Sequence, residues 1–166
     1  MAIQIRAGEA VDVDAAVSVF EASNLALRNY VWPERAARLD QVTAQLCDTS
    51  SWFFVATDGT AVVGVASAEF LHAQYGLEPH GPGGCFLALL FVVPERWSQG
   101  IGGALLDAVL AGAEARGCLR VHLLTDKGNE RAHRLYRSRG FTPTGRAAYE
   151  EDEWARTISP KQRRAT

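Results

Sequence analysis

The chain has 166 residues and a formal net charge of −2, with 48% hydrophobic and 22% charged residues. This is the composition of one soluble domain with a sizeable core, and its balanced charge argues against a general nucleic-acid surface. No apolar run reaches the ~18–20 residues that span a bilayer, and "MAIQIRAGEAVD" lacks the basic-then-apolar pattern of a secretory leader.

In chain order, "IQIRA" (3–7) alternates like a short strand. "VDVDAAVSVFEASNLALR" (11–28) sets Val13, Ala16, Val17, Phe20 and Leu25 at helical spacing. Pro33 suits the first turn of a second helix, "PERAARLDQVTAQLCD". "WFFVAT" (52–57) and "AVVGVASAEF" (61–70) flank Asp58-Gly59, a hairpin signal. The Gly/Pro-rich segment 71–84 reads as a loop, and "CFLALLFVV" (85–93) as a long buried strand. A helix over 102–116 closes at Gly117, a strand follows at 120–125, and a helix over 129–140 closes at Gly140. Two more strands are predicted near "FTPTGR" and "WARTIS", around a solvated acidic turn at Glu150, Glu151, Asp152 and Glu153. The order β-α-α-β-β-β-α-β-α-β-β predicts an α/β (α+β) fold: one domain over 1–166, with a mixed sheet of about seven strands and helices on both faces. Cys47, Cys85 and Cys118 are too scattered for a zinc site and odd in number. They are expected to be reduced thiols in a cytoplasmic protein.

After the strand at 85–93 comes "PERWSQGIGGALL" (94–106). A strand–turn–helix unit with glycines at the helix start presents unpaired N–H groups at a positive dipole end, which binds phosphate without a charged side chain. Gly100 and Gly102 remove Cβ atoms and allow close approach. A tight turn without a ligand is the alternative. The dinucleotide fingerprint would need glycine where Leu105 stands, and no P-loop pattern occurs in the sequence, so NAD and ATP sites are poorly supported.

"LFVVPERWSQGIGGALL" together with "NERAHRLYRSRGF" resembles the GNAT superfamily of N-acetyltransferases. The family pattern [Q/R]-x-x-G-x-[G/A] aligns with Trp97, Ser98, Gln99, Gly100, Ile101 and Gly102, with Gly103 following. The later pattern N-x-x-A-x-x-x-Y-x-x-x-G-F aligns with Asn129, Ala132, Tyr136, Gly140 and Phe141, with Leu135 beside the tyrosine. The resemblance covers essentially the whole chain and implies acetyl-CoA as co-substrate, with no metal. Trp97 stands where the family has Arg or Gln, and Ser98 where a glycine is common. The lost cationic contact would then fall to Arg96 or Arg131, while Trp97 packs against cofactor or protein.

The resemblance further implies that Phe91, Val92 and Val93 offer backbone N–H groups to the cofactor, with Val92 polarising the thioester carbonyl as an oxyanion donor. It makes Tyr136 the general acid for the leaving thiolate, and Asn129 both helix N-cap and cofactor contact. Asn129, His133 and Tyr136 share a helix face, with His133 expected as a surface or packing residue rather than a catalyst. Where many relatives carry a strand glutamate, this chain has Ala88. Glu69, which interrupts an apolar strand pattern, is the first candidate base; His122, His72, His80, Glu95 and Glu150 are weaker ones. Ordered water, or an amine already neutral, would need no base. No cysteine sits in a pattern that would activate it, so direct attack in a ternary complex is expected.

Tyr30, Trp32, Tyr75 and Trp154 are candidates to line an acceptor pocket. A small-molecule amine is the expected acceptor, with a protein N-terminus or lysine as alternative; a homodimer is allowed, and neither nucleic acid nor membrane is expected as partner. Two other classes compete: a CoA-binding regulatory module without turnover, and a nucleotide-binding module unrelated to the family.

Overall fold

A computed structural model of the chain describes residues 2–28, 34–70, 83–148 and 150–158. The elements follow the expected order. They are β1 (Ile3–Ala7), α1 (Val13–Arg28), α2 (Arg35–Cys47), β2 (Ser51–Asp58), β3 (Ala61–Phe70), β4 (Gly84–Val92), α3 (Ile101–Ala115), β5 (Arg120–Asp126), α4 (Glu130–Ser138), β6 (Thr142–Ala148) and β7 (Glu151–Thr157). The strands form one seven-stranded mixed sheet of order β1-β2-β3-β4-β5-β7-β6. Pro33 and most of the 71–84 loop lie outside the described residues. By contact density the chain divides into two units, Met1–Glu69 with Ala88–Val109, and Phe70–Leu87 with Leu110–Thr166.

In the first unit β1 and β2 pair antiparallel from Ile3↔Asp58 to Ala7↔Phe54, and β2 and β3 from Ser51↔Glu69 to Asp58↔Ala61. The Asp58-Gly59 hairpin is therefore present, with Gly59 in the left-handed region that its turn requires. Alternation sends Phe53, Val55 and Val65 to one face, where they meet Val13, Ala16, Val19 and Phe20 of α1 and Val42 and Leu46 of α2. Leu25, placed on the apolar stripe from its spacing, is instead exposed, because the stripe runs through Val19. The other face of β3 carries Gly64, where an added Cβ would stand 2.8 Å from Leu105 Cδ1 and 3.4 Å from Ile101 Cγ2. Helix α3 thus lies directly on bare strand backbone, and its buried Ile101 and Leu105 fill the place of a side chain. At the edge, Arg6 donates to both Asp12 carboxylate oxygens at 2.7 and 2.8 Å, and Asp12 also accepts from the Glu9 N–H. The Arg6 hydrogen bond holds the Asp12 carboxyl below its ordinary range, against the opposing effect of burial.

In the second unit β4 and β5 pair in parallel from Gly84↔Arg120 to Phe86↔His122, and β5 pairs antiparallel with β7 from Arg120↔Thr157 to Asp126↔Glu151. Helix α4 turns its buried face onto β7, where His133 stacks on Trp154 at 5.0 Å and the Arg137 guanidinium lies 5.1 Å from the same indole. Two expectations are corrected here. Cys85 and Cys118 are joined as a disulfide, because the start of β4 and the residues before β5 meet in register; Cys47 is free and exposed. The acidic run is no solvated turn, since Glu151, Asp152 and Glu153 belong to β7 and Glu153 is fully buried. Glu153 faces away from Trp154, on the side of Leu124 and Ala155, as strand alternation requires.

Candidate active site

The predicted residues fall in two places, the turn between β4 and α3 in the first unit and helix α4 in the second. The turn begins at Pro94, whose ring fixes φ and removes a ladder donor, so the strand gives way to a single 3-10 turn over Pro94–Arg96. Ser98 (φ 62°) and Gly100 (φ 82°) both adopt the left-handed region on either side of Gln99. For Ser98 that conformation costs about 1 kcal/mol. The first α-helical bond runs from the Ala104 N–H to the Gly100 carbonyl at 3.1 Å. The N–H groups of Ile101, Gly102 and Gly103 therefore have no acceptor four residues back, and they stand at the positive end of α3. A Cβ built on Gly100 meets nothing within 4 Å among the described residues. The space over the helix start is open, which fits an anion held by main-chain donors.

Side chains around this turn are committed to it. The Trp97 indole N–H donates to the Val92 carbonyl at 2.8 Å, Arg96 pairs with Asp58, and Gln99 reaches back to the Glu95 carbonyl at 3.5 Å. Arg96 is thus held by β2 rather than offered as a replacement cation, and the structure corrects that expectation. The Val93 N–H donates to Val63 of β3 at 2.9 Å, so it is committed to the sheet and not offered to a cofactor as expected. Successive residues of a strand direct their polar groups to opposite edges. The polar groups of Val92 therefore point away from β3, while Phe91 packs its ring edge-on against Phe20 at 5.1 Å.

Helix α4 opens with Asn129 as N-cap, its side-chain oxygen accepting the Ala132 N–H at 3.1 Å. His133 and Tyr136 share the buried face, and His133 Nε2 lies 3.1 Å from the Asp126 carbonyl, a packing role as expected. The Tyr136 ring sits 5.8 Å from Phe141 and 6.4 Å from Trp154. Burial, and secondarily the charge of Glu151, pushes the Tyr136 phenol above its ordinary value of 10. It stays protonated, a donor, throughout any ordinary working range.

Of the candidate bases, Glu69 is buried at the end of β3 and accepts from Gln45 at 3.2 Å. Glu95 and Glu150 are exposed, and Ala88 leaves the interior of β4 without a carboxylate at that position. His72, His80, Tyr30, Trp32 and Tyr75 lie outside the described residues. Trp154 is buried core beneath α4, with the His133 ring stacked on its indole and the Arg137 guanidinium 5.1 Å from it. A polar cluster that sequence reading missed joins β5, β6 and β7. His122 Nδ1 lies 3.5 Å from Glu153 Oε2, and the Thr144 hydroxyl donates to Glu153 Oε1 at 2.7 Å. The signal was present in the alternation of "EDEWART", but the neighbouring acids concealed it. Among the described residues no His/Cys/Asp/Glu group is arranged to hold a metal, and no helix is long and apolar enough to cross a membrane.

Residues 18–141 match the model of the acetyltransferase (GNAT) family. The chain is 32% identical over 125 residues to aminoglycoside N(6')-acetyltransferase type 1 of Stenotrophomonas maltophilia, covering 74% of this chain and 80% of that one. Its fold is similar to that of the PaiA N-acetyltransferase of Thermoplasma acidophilum, solved in complex with coenzyme A (TM-score 0.75, 16% identity, 95% and 100% of the two chains). It is likewise similar to that of the ribosomal-protein-S18-alanine N-acetyltransferase of Escherichia coli (TM-score 0.72, 22% identity, 99% of each). The chain therefore belongs to the GNAT family of acetyltransferases, which take the acetyl group from acetyl-CoA.

Proposed function

We propose that the protein transfers acetyl from acetyl-CoA directly to a primary amine of a small molecule, residues 1–166 acting as one domain because β4 and α3 each pass through both units. The observation that carries the cofactor assignment is the open turn over Gly100, with the N–H groups of Ile101, Gly102 and Gly103 above it. These donors, with the backbone of Ser98 and Gln99, would hold the pyrophosphate, the Trp97 N–H being committed to the Pro94 carbonyl. Bound acetyl-CoA supplies an activated thioester; everything else falls to the chain. Val92, directed away from β3, holds the oxyanion through its N–H. Asn129 steadies the start of α4 and contacts the cofactor. Tyr136 holds a proton toward the departing thiolate. Because its phenol is raised above 10 and a thiol titrates near ~8.5, it acts mainly as a charge-assisted hydrogen-bond donor rather than by full transfer. Glu69 receives the amine proton; a buried carboxylate in an otherwise apolar strand serves no solubility purpose.

The small-molecule acceptor is supported by the aminoglycoside-modifying relative. The test is acetyl-CoA-dependent acetylation of aminoglycosides, polyamines, free amino acids and an N-terminal alanine peptide, with products identified by mass. A single acetyl added to a small amine is expected. Acetylation of the peptide alone would overturn the acceptor class, and CoA binding with no product from any amine would point to a regulatory module. Glu69→Gln should remove the acidic limb of the kcat profile; an unchanged profile would leave the base to water.

A further inference from the structure

Resting on the acetyl-CoA assignment, we infer that Trp97 is a positioning residue for the cofactor, acting through Val92 rather than by touching the phosphates. Three observations carry this. First, the indole N–H donates to the Val92 carbonyl at 2.8 Å, a bond that spans from the turn back to the last residue of β4. Second, Val93 is anchored on the other edge by its N–H to Val63, so the peptide between Val92 and Val93 is held from both sides. Third, Trp97 immediately precedes Ser98 and Gly100, the two left-handed residues that aim the turn, and its own N–H closes the 3-10 turn onto Pro94 at 3.2 Å.

The physical consequence is a single rigid unit. A peptide group is planar, so fixing the Val92 carbonyl fixes the plane in which the Val93 N–H lies, and limits the rotation of the preceding peptide that carries the Val92 N–H. The same indole fixes where the chain leaves the strand, and therefore where the N–H groups of Ile101, Gly102 and Gly103 stand relative to Val92. An arginine or glutamine in this position would offer the ligand a side-chain donor. Trp97 instead turns its donor inward and organises main-chain donors in advance, which lowers the ordering that binding must supply. Arg96, one place earlier, serves the same end by tying the turn to Asp58 at the end of β2.

Trp97→Phe keeps an aromatic ring and removes the N–H donor together with the second ring of the indole. One hydrogen bond of this kind corresponds to roughly a fivefold effect. Affinity for CoA, measured by calorimetry with CoA alone and needing no acceptor, is expected to fall about fivefold to tenfold. In turnover, KM for acetyl-CoA should rise by a similar factor and kcat should fall with it, because the Val92 N–H is the proposed oxyanion donor, while KM for the amine stays within about twofold. Trp97→Gln, which restores an N–H on a flexible stem, should recover part of the loss. Equal CoA affinity in native protein, Trp97→Phe and Trp97→Gln would overturn the inference, as would a fall in kcat with KM unchanged. Failure of the native protein to bind CoA would instead sink the cofactor assignment itself. The native protein offers a measurement that needs no variant: the assigned Trp97 indole proton should be protected from solvent exchange and more so with CoA bound. Free exchange in the complex would refute the role even if the variants do not fold.

Discussion

Tyr136→Phe deletes one oxygen from a side chain that is only 7% exposed. The ring keeps its neighbours Phe141 and Trp154, so the fold should lose less than ~1.5 kcal/mol. A hydrogen bond to an anionic leaving group is worth about 1.5–3 kcal/mol, which converts to a fall of roughly 10- to 150-fold in kcat. KM for acetyl-CoA should hardly move, because the anion exists only as the thioester breaks. The assay is steady-state turnover with the best amine of the panel, in native and variant protein. A kcat within about twofold of native would refute the donor role and leave the thiolate to solvent. The same variant tests the electrostatics. A phenol whose folded value lies above its unfolded value contributes stability that is present below pH ~10 and lost as pH rises toward the folded value. Tyr136→Phe should therefore flatten the alkaline limb of the stability curve, read from urea midpoints across that range. Identical alkaline limbs would show that burial of Tyr136 does not govern its ionisation.

Gly100→Ala should lose about 1 kcal/mol or more of stability from its φ of 82° and weaken CoA binding, whereas Gly128→Ala, also in open space and without a positive φ, should leave CoA affinity unchanged. Isothermal titration with CoA, beside chemical denaturation, measures both. Glu153→Ala removes the carboxylate to which the half-buried Thr144 hydroxyl donates and which faces buried His122, and should lower stability by about 1–3 kcal/mol. Glu153→Gln, which retains the shape and an acceptor, should lose less, and equal urea midpoints for Glu153→Ala and native protein would contradict the argument. The lowered Asp12 carboxyl contributes stability that is present above its unfolded value near ~4 and lost as pH falls through the folded one. Asp12→Asn should reduce the acid-side loss measured by circular dichroism, by a small amount because Arg6 is largely in water.

Element order and type were legible because apolar period, hairpin chemistry and helix-closing glycines all agreed along the chain. The turn at 97–103 was legible too, since glycine and proline leave few conformations to choose from. What could not be read were relations set by register between distant strands. Cys85 meets Cys118 because Gly84 pairs with Arg120, and Glu153 is buried because β5 and β7 align Leu124 with it. Side-chain destinations were also hidden: nothing in "PERWSQG" says that the indole would turn back to Val92 and the arginine to Asp58. Spacing names a helix face, but the partner of a polar atom depends on tertiary approach.

The bond between Cys85 and Cys118, 33 residues apart, closes a covalent ring around the stretch from β4 to the end of α3. When oxidised, the denatured chain cannot open that ring, and by the chain-entropy model a closure of this length favours the native state by about 4 kcal/mol. The ring holds Val92, Trp97, Gly100 and the start of α3 within one loop, so the proposed cofactor-binding segment would leave unfolding already gathered. Thiol status thereby becomes a variable of the denatured ensemble, and thus of how readily this segment re-forms.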